Sequence, residues 1–225
     1  MFSKNPNRAL EKSLEAAQAR EQKAVAALAP KHKGGEWEEY EAAVADVMAA
    51  ERALAAARGE PHAVPIEFPV RWSIGAPLPY LLQNDYRTFL VFFVHEADPN
   101  WDGTYTTIQQ PNSADANDLA IVEFRGCVSA KMGAPNDEVL HGHPVHGKGL
   151  EGYRAMKLEN SPWLKELEDI NSVHAAYKPA AWKNLSHYFF GFHDSTFECV
   201  AESFVVERRE ASLSNVLSEV CARLI

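Results

Sequence analysis

The chain has 225 residues, 46% hydrophobic and 24% charged, with a formal net charge of −9, a balance that excludes wholesale disorder and fibrous repeats. The negative charge repels nucleic-acid phosphates and anionic lipid, and no Lys/Arg stripe reverses it locally, which argues against nucleic acid and membrane as partners. No apolar run reaches the roughly 18–20 residues that span a bilayer, and Met1 to Pro6 lacks the apolar stretch of a secretory signal; a soluble, cytoplasmic protein is expected.

Asn5 before Pro6 suits a helix start, because Asn caps free amides and Pro tolerates the first turn. Leu10, Leu14, Ala17, Ala24 and Leu28 then keep heptad spacing, interrupted at Glu21, up to Pro30. Lys31 to Gly35 reads as a turn, and Trp37, Tyr40, Val44, Val47 and Leu54 renew the spacing until Gly59 and Pro61. Residues 1–60 are therefore expected to form an antiparallel helical hairpin. It buries too little to stand alone, so it must lean on the rest of the chain, on a second copy in a homodimer, or on a different protein partner.

From Val64 the texture changes to β-branched and aromatic runs separated by Pro, Gly, Asn and Asp, which marks residues 61–225 as an α+β domain, a mainly antiparallel sheet flanked by helices. Strands are predicted over 66–72, 87–95, 103–108, 119–130, 153–158, 187–193 and 196–207. The second is apolar enough to be covered on both faces and central. Asn160-Ser161-Pro162 signals a helix start, with Leu164, Leu167 and Ile170 facing inward, and Leu213, Val216, Leu217, Val220 and Leu224 form the stripe of a last amphipathic helix.

Chemistry-bearing residues concentrate between Pro135 and Gly149, where Gly and Pro dictate a loop. His141 and His143 project to one side of an extended segment, so with His146 they could hold a divalent transition metal, His193 or Glu198 completing the sphere. Alternatively, the same imidazoles brace the loop by hydrogen bonding to backbone. The i, i+3 pair Glu138 and His141 would suit a metal-binding helix, but Gly142 and Pro144 oppose one. Gly147-Lys148-Gly149 offers amides and a cation without the remainder of a phosphate-binding loop.

A two-residue turn at Asp194-Ser195 would place Gly191 opposite Glu198 and bring Glu198 diagonally close to His193. His193, Glu198 and Glu138 are thus the candidate acid/base groups. Arg125, Glu123 and Lys148 are the candidate substrate contacts, Arg125 as a clamp for an anionic group, provided that the His loop folds over the polar side of the strand at 119–130. Cys127, Cys199 and Cys221 form neither a disulfide framework nor a CxxC pair and read as reduced, small apolar groups. Two function classes follow: a small-molecule enzyme or ligand-binding protein using the His-rich loop on a polar or anionic substrate, or a non-catalytic protein–protein interaction module using the hairpin.

Overall fold

The structure, a computed structural model, describes residues 5–28, 35–95 and 115–225. The expected turn at 31–34 and strand at 103–108 lie outside the described residues. Two helices, α1 (Arg8–Ala27) and α2 (Glu36–Ala57), pack together at the N-terminus. On α1 the seam is the expected one: Leu10, Leu14, Ala17, Glu21, Ala24 and Leu28 are the less exposed positions. On α2 it runs through Tyr40, Ala43, Val44, Val47, Ala50 and Leu54, while Trp37 stands off it at 57% exposure. Arg20 crosses the seam to Glu39 at 2.9 Å and to Asp46. The expected cap at Asn5 falls short of the helix, whose N-cap is Asn7; the Asn5 carboxamide instead accepts from the Asn7 N–H at 3.0 Å.

Two antiparallel sheets follow. β1 (His62–Pro65), β6 (Ala155–Glu159), β7 (Ser186–Gly191), β8 (Thr196–Ala201) and β5 (Ser129–Gly133) form a first sheet in that spatial order. β2 (Tyr80–Gln83), β3 (Thr88–Phe93), β4 (Asn117–Arg125) and β9 (Ser203–Ala211) form a second. The α+β class stands, with the expected single sheet divided in two. Each half turns a face to the other, as in a sandwich, and Leu90, Phe92, Val122, Phe124, Tyr188, Phe190, Phe197 and Cys199 fill the space between. Edge-to-face aromatic pairs such as Phe124–Phe190 at 5.7 Å and Trp72–Phe92 at 5.7 Å order this core.

Several predicted strands change for local reasons. Residues 66–72 form no ladder beyond the bridge of Trp72 to Val94, and Pro69 within them withholds a ladder donor. The run 119–130 breaks at Gly126, whose φ of 59° turns the chain from the second sheet into the first. Thr88 to Phe93 is buried throughout and internal to its sheet, as its composition implies. One turn of helix, α4 (Pro179–Trp182), precedes β7, and the last helix, α5 (Leu213–Arg223), covers the outer face of the second sheet through Leu213, Val216 and Val220, against Phe89, Val91 and Ile121. α3 (Pro162–Asn171) starts at Ser161, whose Oγ accepts from the Leu164 N–H at 3.1 Å, but Ile170 points outward at 61% exposure. Among the described residues, no helix is long and apolar enough to cross a membrane.

The hairpin leans on the first sheet through α2. Glu51 Oε2 accepts from the Gly149 N–H at 3.0 Å, and Arg52 donates to the Gly149 carbonyl at 3.3 Å and to Glu151 at 2.9 Å. Gly149 holds φ at +81°, and a Cβ there would sit 2.1 Å from Arg52 Cγ and 3.1 Å from the Ala63 carbonyl oxygen. Gly149→Ala should therefore destabilise the protein by about 1–3 kcal/mol in urea unfolding. Gly142→Ala, with nothing within 4 Å of the added carbon, should stay within about 0.5 kcal/mol.

Candidate functional site

Strand parity sets the outer face of the first sheet. Tyr188 and Phe190 of β7 point into the core, so His187, Phe189 and Gly191 point out. Phe197, Cys199 and Ala201 of β8 point in, so Glu198 points out. β7 and β8 pair with Phe189 opposite Glu198 and Gly191 opposite Thr196, which leaves a four-residue turn, 192–195, closed by Phe192 N–H to the Ser195 carbonyl at 2.9 Å. The expected two-residue turn is thus corrected. The ladder is shifted by two residues, and the imidazole that reaches Glu198 belongs to His187 rather than His193.

His187 lies at the centre of a buried polar chain. Its Nδ1 is 2.7 Å from Ser161 Oγ, its Nε2 is 2.8 Å from Glu198 Oε2, and Lys131 Nζ reaches Glu198 Oε1 at 2.9 Å. Burial, the largest single influence on Glu198, pushes its pKa up; hydrogen bonds from His187 and Lys131 outweigh it and hold the carboxyl below its usual range. Glu198 accepts a hydrogen bond from Nε2–H, and Ser161 Oγ, beside Nδ1, also accepts from Leu164 N–H.

The order hydroxyl, imidazole, carboxylate is that of a nucleophile with its base. However, Ser161 is only 8% exposed, caps α3, and has Trp163 edge-on to the His187 ring at 5.0 Å. Every polar group in the chain is satisfied by protein, which makes it a pin holding α3 to the sheet.

The second cluster faces solvent. Asp137 begins a 3-10 helix over Asp137–Gly142, and its N–H donates to the His193 carbonyl at 3.1 Å, tying the loop to the β7–β8 turn. Asp137 Oδ2 lies 2.9 Å from His193 Nδ1, and the Tyr153 hydroxyl, 2.9 Å from the same nitrogen, also donates to Asp137. The pairing assigns the proton to Nδ1 and leaves Nε2, on a side chain that is 43% exposed, 4.0 Å from Asp194 Oδ1. The hydrogen bond to Asp137 raises the His193 pKa, with Asp137, Asp194 and Glu138 adding to it electrostatically. The Tyr153 hydrogen bond, ahead of an opposing effect of burial and a further bond from His193, lowers that of Asp137. Burial and Asp137 push the Tyr153 phenol up, so it stays a neutral donor.

Tyr153 reaches this position from a left-handed backbone, φ 55°. The 152–153 segment passes so close over β7 that a Cβ at Gly191 would lie 3.4 Å from Gly152 Cα and Tyr153 N. Strain of this kind in a bulky residue needs a surrounding that enforces it.

The remaining predicted residues disperse. Among the described residues, no group of three or more His, Cys, Asp or Glu side chains is placed to hold a metal ion, so the expectation of a metal on His141, His143 and His146 finds no support. His141 is exposed with Nδ1 on the Glu138 carbonyl at 3.1 Å, and His146 is exposed in the following turn. His143 packs edge-on to Phe189 at 5.5 Å, its Nδ1 accepting from Val145 N–H at 3.2 Å; burial depresses its pKa and keeps it neutral. The rings of His141 and His143 brace the loop, whose Leu140, Val145 and Leu150 cover Met156 and Phe189.

The loop lies over the first sheet, not over the strand at 119–130, so Glu123 and Arg125 are not beside it. Glu123 pairs with Arg87 at 2.7 Å, and Arg125 is exposed at the end of β4. Lys148 pairs with Glu60 at 3.1 Å, on the hairpin side. Glu138 is exposed and bears on His193 only electrostatically. Asp137, Tyr153, Ser161 and His187 were not singled out from sequence for this chemistry. Strand parity in 187–191 and 196–201 was the signal that could have found His187. Nothing short of the fold brings Tyr153 to His193.

Removing Glu198 leaves His187 buried without its acceptor, so Glu198→Ala should cost about 2–4 kcal/mol in chemical unfolding. Asp137 and Glu198 titrate below their unfolded values. Their contributions are present above the ordinary carboxylate range of about 4 and vanish as pH falls through the folded values. His193 titrates above its unfolded value, so its contribution is full below about 6.5 and is lost as pH rises through the folded value. Stability measured against pH should therefore be highest between those limits, and Asp137→Asn should bring the His193 NMR titration midpoint back toward about 6.5. Against family models, curated proteins and solved structures the chain finds no match, so what this site does is read from its own geometry.

Proposed function

We propose that the protein is a small-molecule enzyme in which His193 is the general acid/base and Asp137 and Tyr153 orient it. One observation carries this reading: the ring is fixed through Nδ1 by Asp137 and Tyr153, while Nε2, 4.0 Å from the exposed Asp194 carboxylate, makes no hydrogen bond among the described residues. Orientation by a carboxylate on one nitrogen, with the other free for a substrate or water proton, is the arrangement that general acid–base catalysis uses. The substrate is a polar molecule, neutral or cationic rather than anionic, because Asp137, Asp194 and Glu138 surround the imidazole and the expected cation Arg125 is elsewhere. In the simplest step, neutral Nε2 takes a proton from water as the water oxygen attacks a carbonyl carbon; the resulting imidazolium then returns that proton to the leaving group.

A second reading has its own observation. Trp37 is 57% exposed, 5.5 Å from Tyr40 at the start of α2, and such an aromatic pair suits contact with a protein partner or a second copy of the chain. Trp37→Ala should separate the two, leaving His193-dependent turnover unchanged.

Hydrolysis of p-nitrophenyl acetate tests the enzyme reading. His193→Gln should lower kcat/KM by about 100-fold or more, whereas His174→Gln, removing an exposed imidazole on the segment after α3, should not change it. The base form is the neutral ring and its pKa is raised, so the rate should climb with pH to a midpoint above about 6.5, and Asp137→Asn should move that midpoint down. Equal rates for the native chain and His193→Gln at every pH would sink the proposal.

A further inference from the structure

Two thiols converge at the corner where the chain passes from the second sheet to the first. Cys199 sits in β8 on the face turned to the intersheet core and is fully buried. Cys127 follows the turn at Gly126, is half-buried against the same aromatic cluster, and donates from Sγ to the Ser129 carbonyl at 3.4 Å. Cys127 and Cys199 each precede a residue of the bond from Val128 N–H to the Val200 carbonyl at 2.9 Å, and both border the same aromatic cluster. Cys199 is the main cause that lowers the Cys127 thiol to about 7, while burial pushes that of Cys199 up. Cys221, on α5, is exposed and lies on the opposite side of the second sheet.

We propose that Cys127 and Cys199 are a peroxide-sensitive pair, Cys127 attacking and Cys199 resolving, that closes into an intramolecular disulfide. The Cys127 thiolate attacks one oxygen of hydrogen peroxide; an S–O bond forms, the O–O bond breaks, and hydroxide leaves to become water with the thiol's proton. Cys199 sulfur then attacks the sulfenic sulfur of Cys127; the S–S bond forms, the S–O bond breaks, and a second water carries away the Cys199 proton. Two thiols and one peroxide give one disulfide and two waters. A thiol near neutrality that is partly open to solvent supplies the first step, and the adjacent buried thiol intercepts the sulfenic acid before it oxidises further.

The native chain treated with hydrogen peroxide should lose about 2 Da, and after denaturation and alkylation it should take up one alkyl group, at Cys221, where the untreated chain takes up three. A non-reducing peptide map should join the segments holding residues 127 and 199, and dithiothreitol should restore both thiols. Cys221→Ser should form the same link, and Cys127→Ser should form none. Cys199→Ala should leave Cys127 to proceed to sulfinic acid. Three free thiols after treatment, a sulfinic acid at Cys127 in the native chain beside reduced Cys199, or a link through Cys221 between two chains would each overturn the assignment.

Discussion

Everything at the site depends on β7 and β8 being covered on both faces. Their inward residues, Tyr188, Phe190, Phe197 and Cys199, belong to the aromatic core, and their outward residues meet the loop at 137–150 and α3. Because side chains alternate with period two, a one-residue slip would drive His187 and Glu198 into the phenyl cluster and expel phenylalanines to the outer face. Burying an ionised carboxylate among aromatic rings without a partner is costly enough to forbid that register. The ladder is therefore locked by composition, and its turn carries His193 to one defined place.

Parity also explains which parts of the molecule were legible. The α1 seam could be read because each of its apolar positions meets a partner helix that the next segment supplies. The stripe on α5 was equally plain, since one flat sheet face receives it. Phe89 to Phe93 announced its two-sided burial by lacking polar residues altogether. The division into two sheets was hidden because apolar residues alternate in the sequence across Gly126, so 119–130 looks continuous although its halves pair with different strands, and in the fold Cys127 turns to the core while Val128 is 49% exposed. The slip in the β7–β8 turn was hidden similarly: a shift of two residues leaves every side chain on its correct face and changes only which imidazole meets Glu198.

The His-rich loop misled for a different reason. Spacing within an extended segment predicts a shared side for His141 and His143, yet this segment winds into a 3-10 turn, where side chains fan around the axis. Its backbone also engages Nδ1 of His141 and of His143. The three histidine environments diverge accordingly. His143 is kept neutral by burial, His187 is held between a hydroxyl and a carboxylate, and His193 is favoured in its charged form by Asp137 while open to solvent. Only the last combines a fixed orientation with access, and access separates a reacting group from a bracing one.

β8 links the two chemistries. Cys199 and Glu198 are neighbours in sequence on opposite faces of one strand, so a bond formed on the core side at residue 199 restrains the backbone that carries the carboxylate holding His187. Both faces are already packed at interior density, which leaves little room for a new geometry. A cross-link there acts mainly on opening, because residues 127 and 199 can no longer separate when β8 detaches, and local unfolding is the motion that such restraints suppress. His193 lies at the other end of β8, in the turn preceding Thr196, where the ladder ends and the orienting partners come from Asp137 and Tyr153 rather than from β8 itself. The acid/base group is thus insulated from the corner, and oxidation of the thiols should harden the scaffold without altering the hydrogen bonds that set the state of His193.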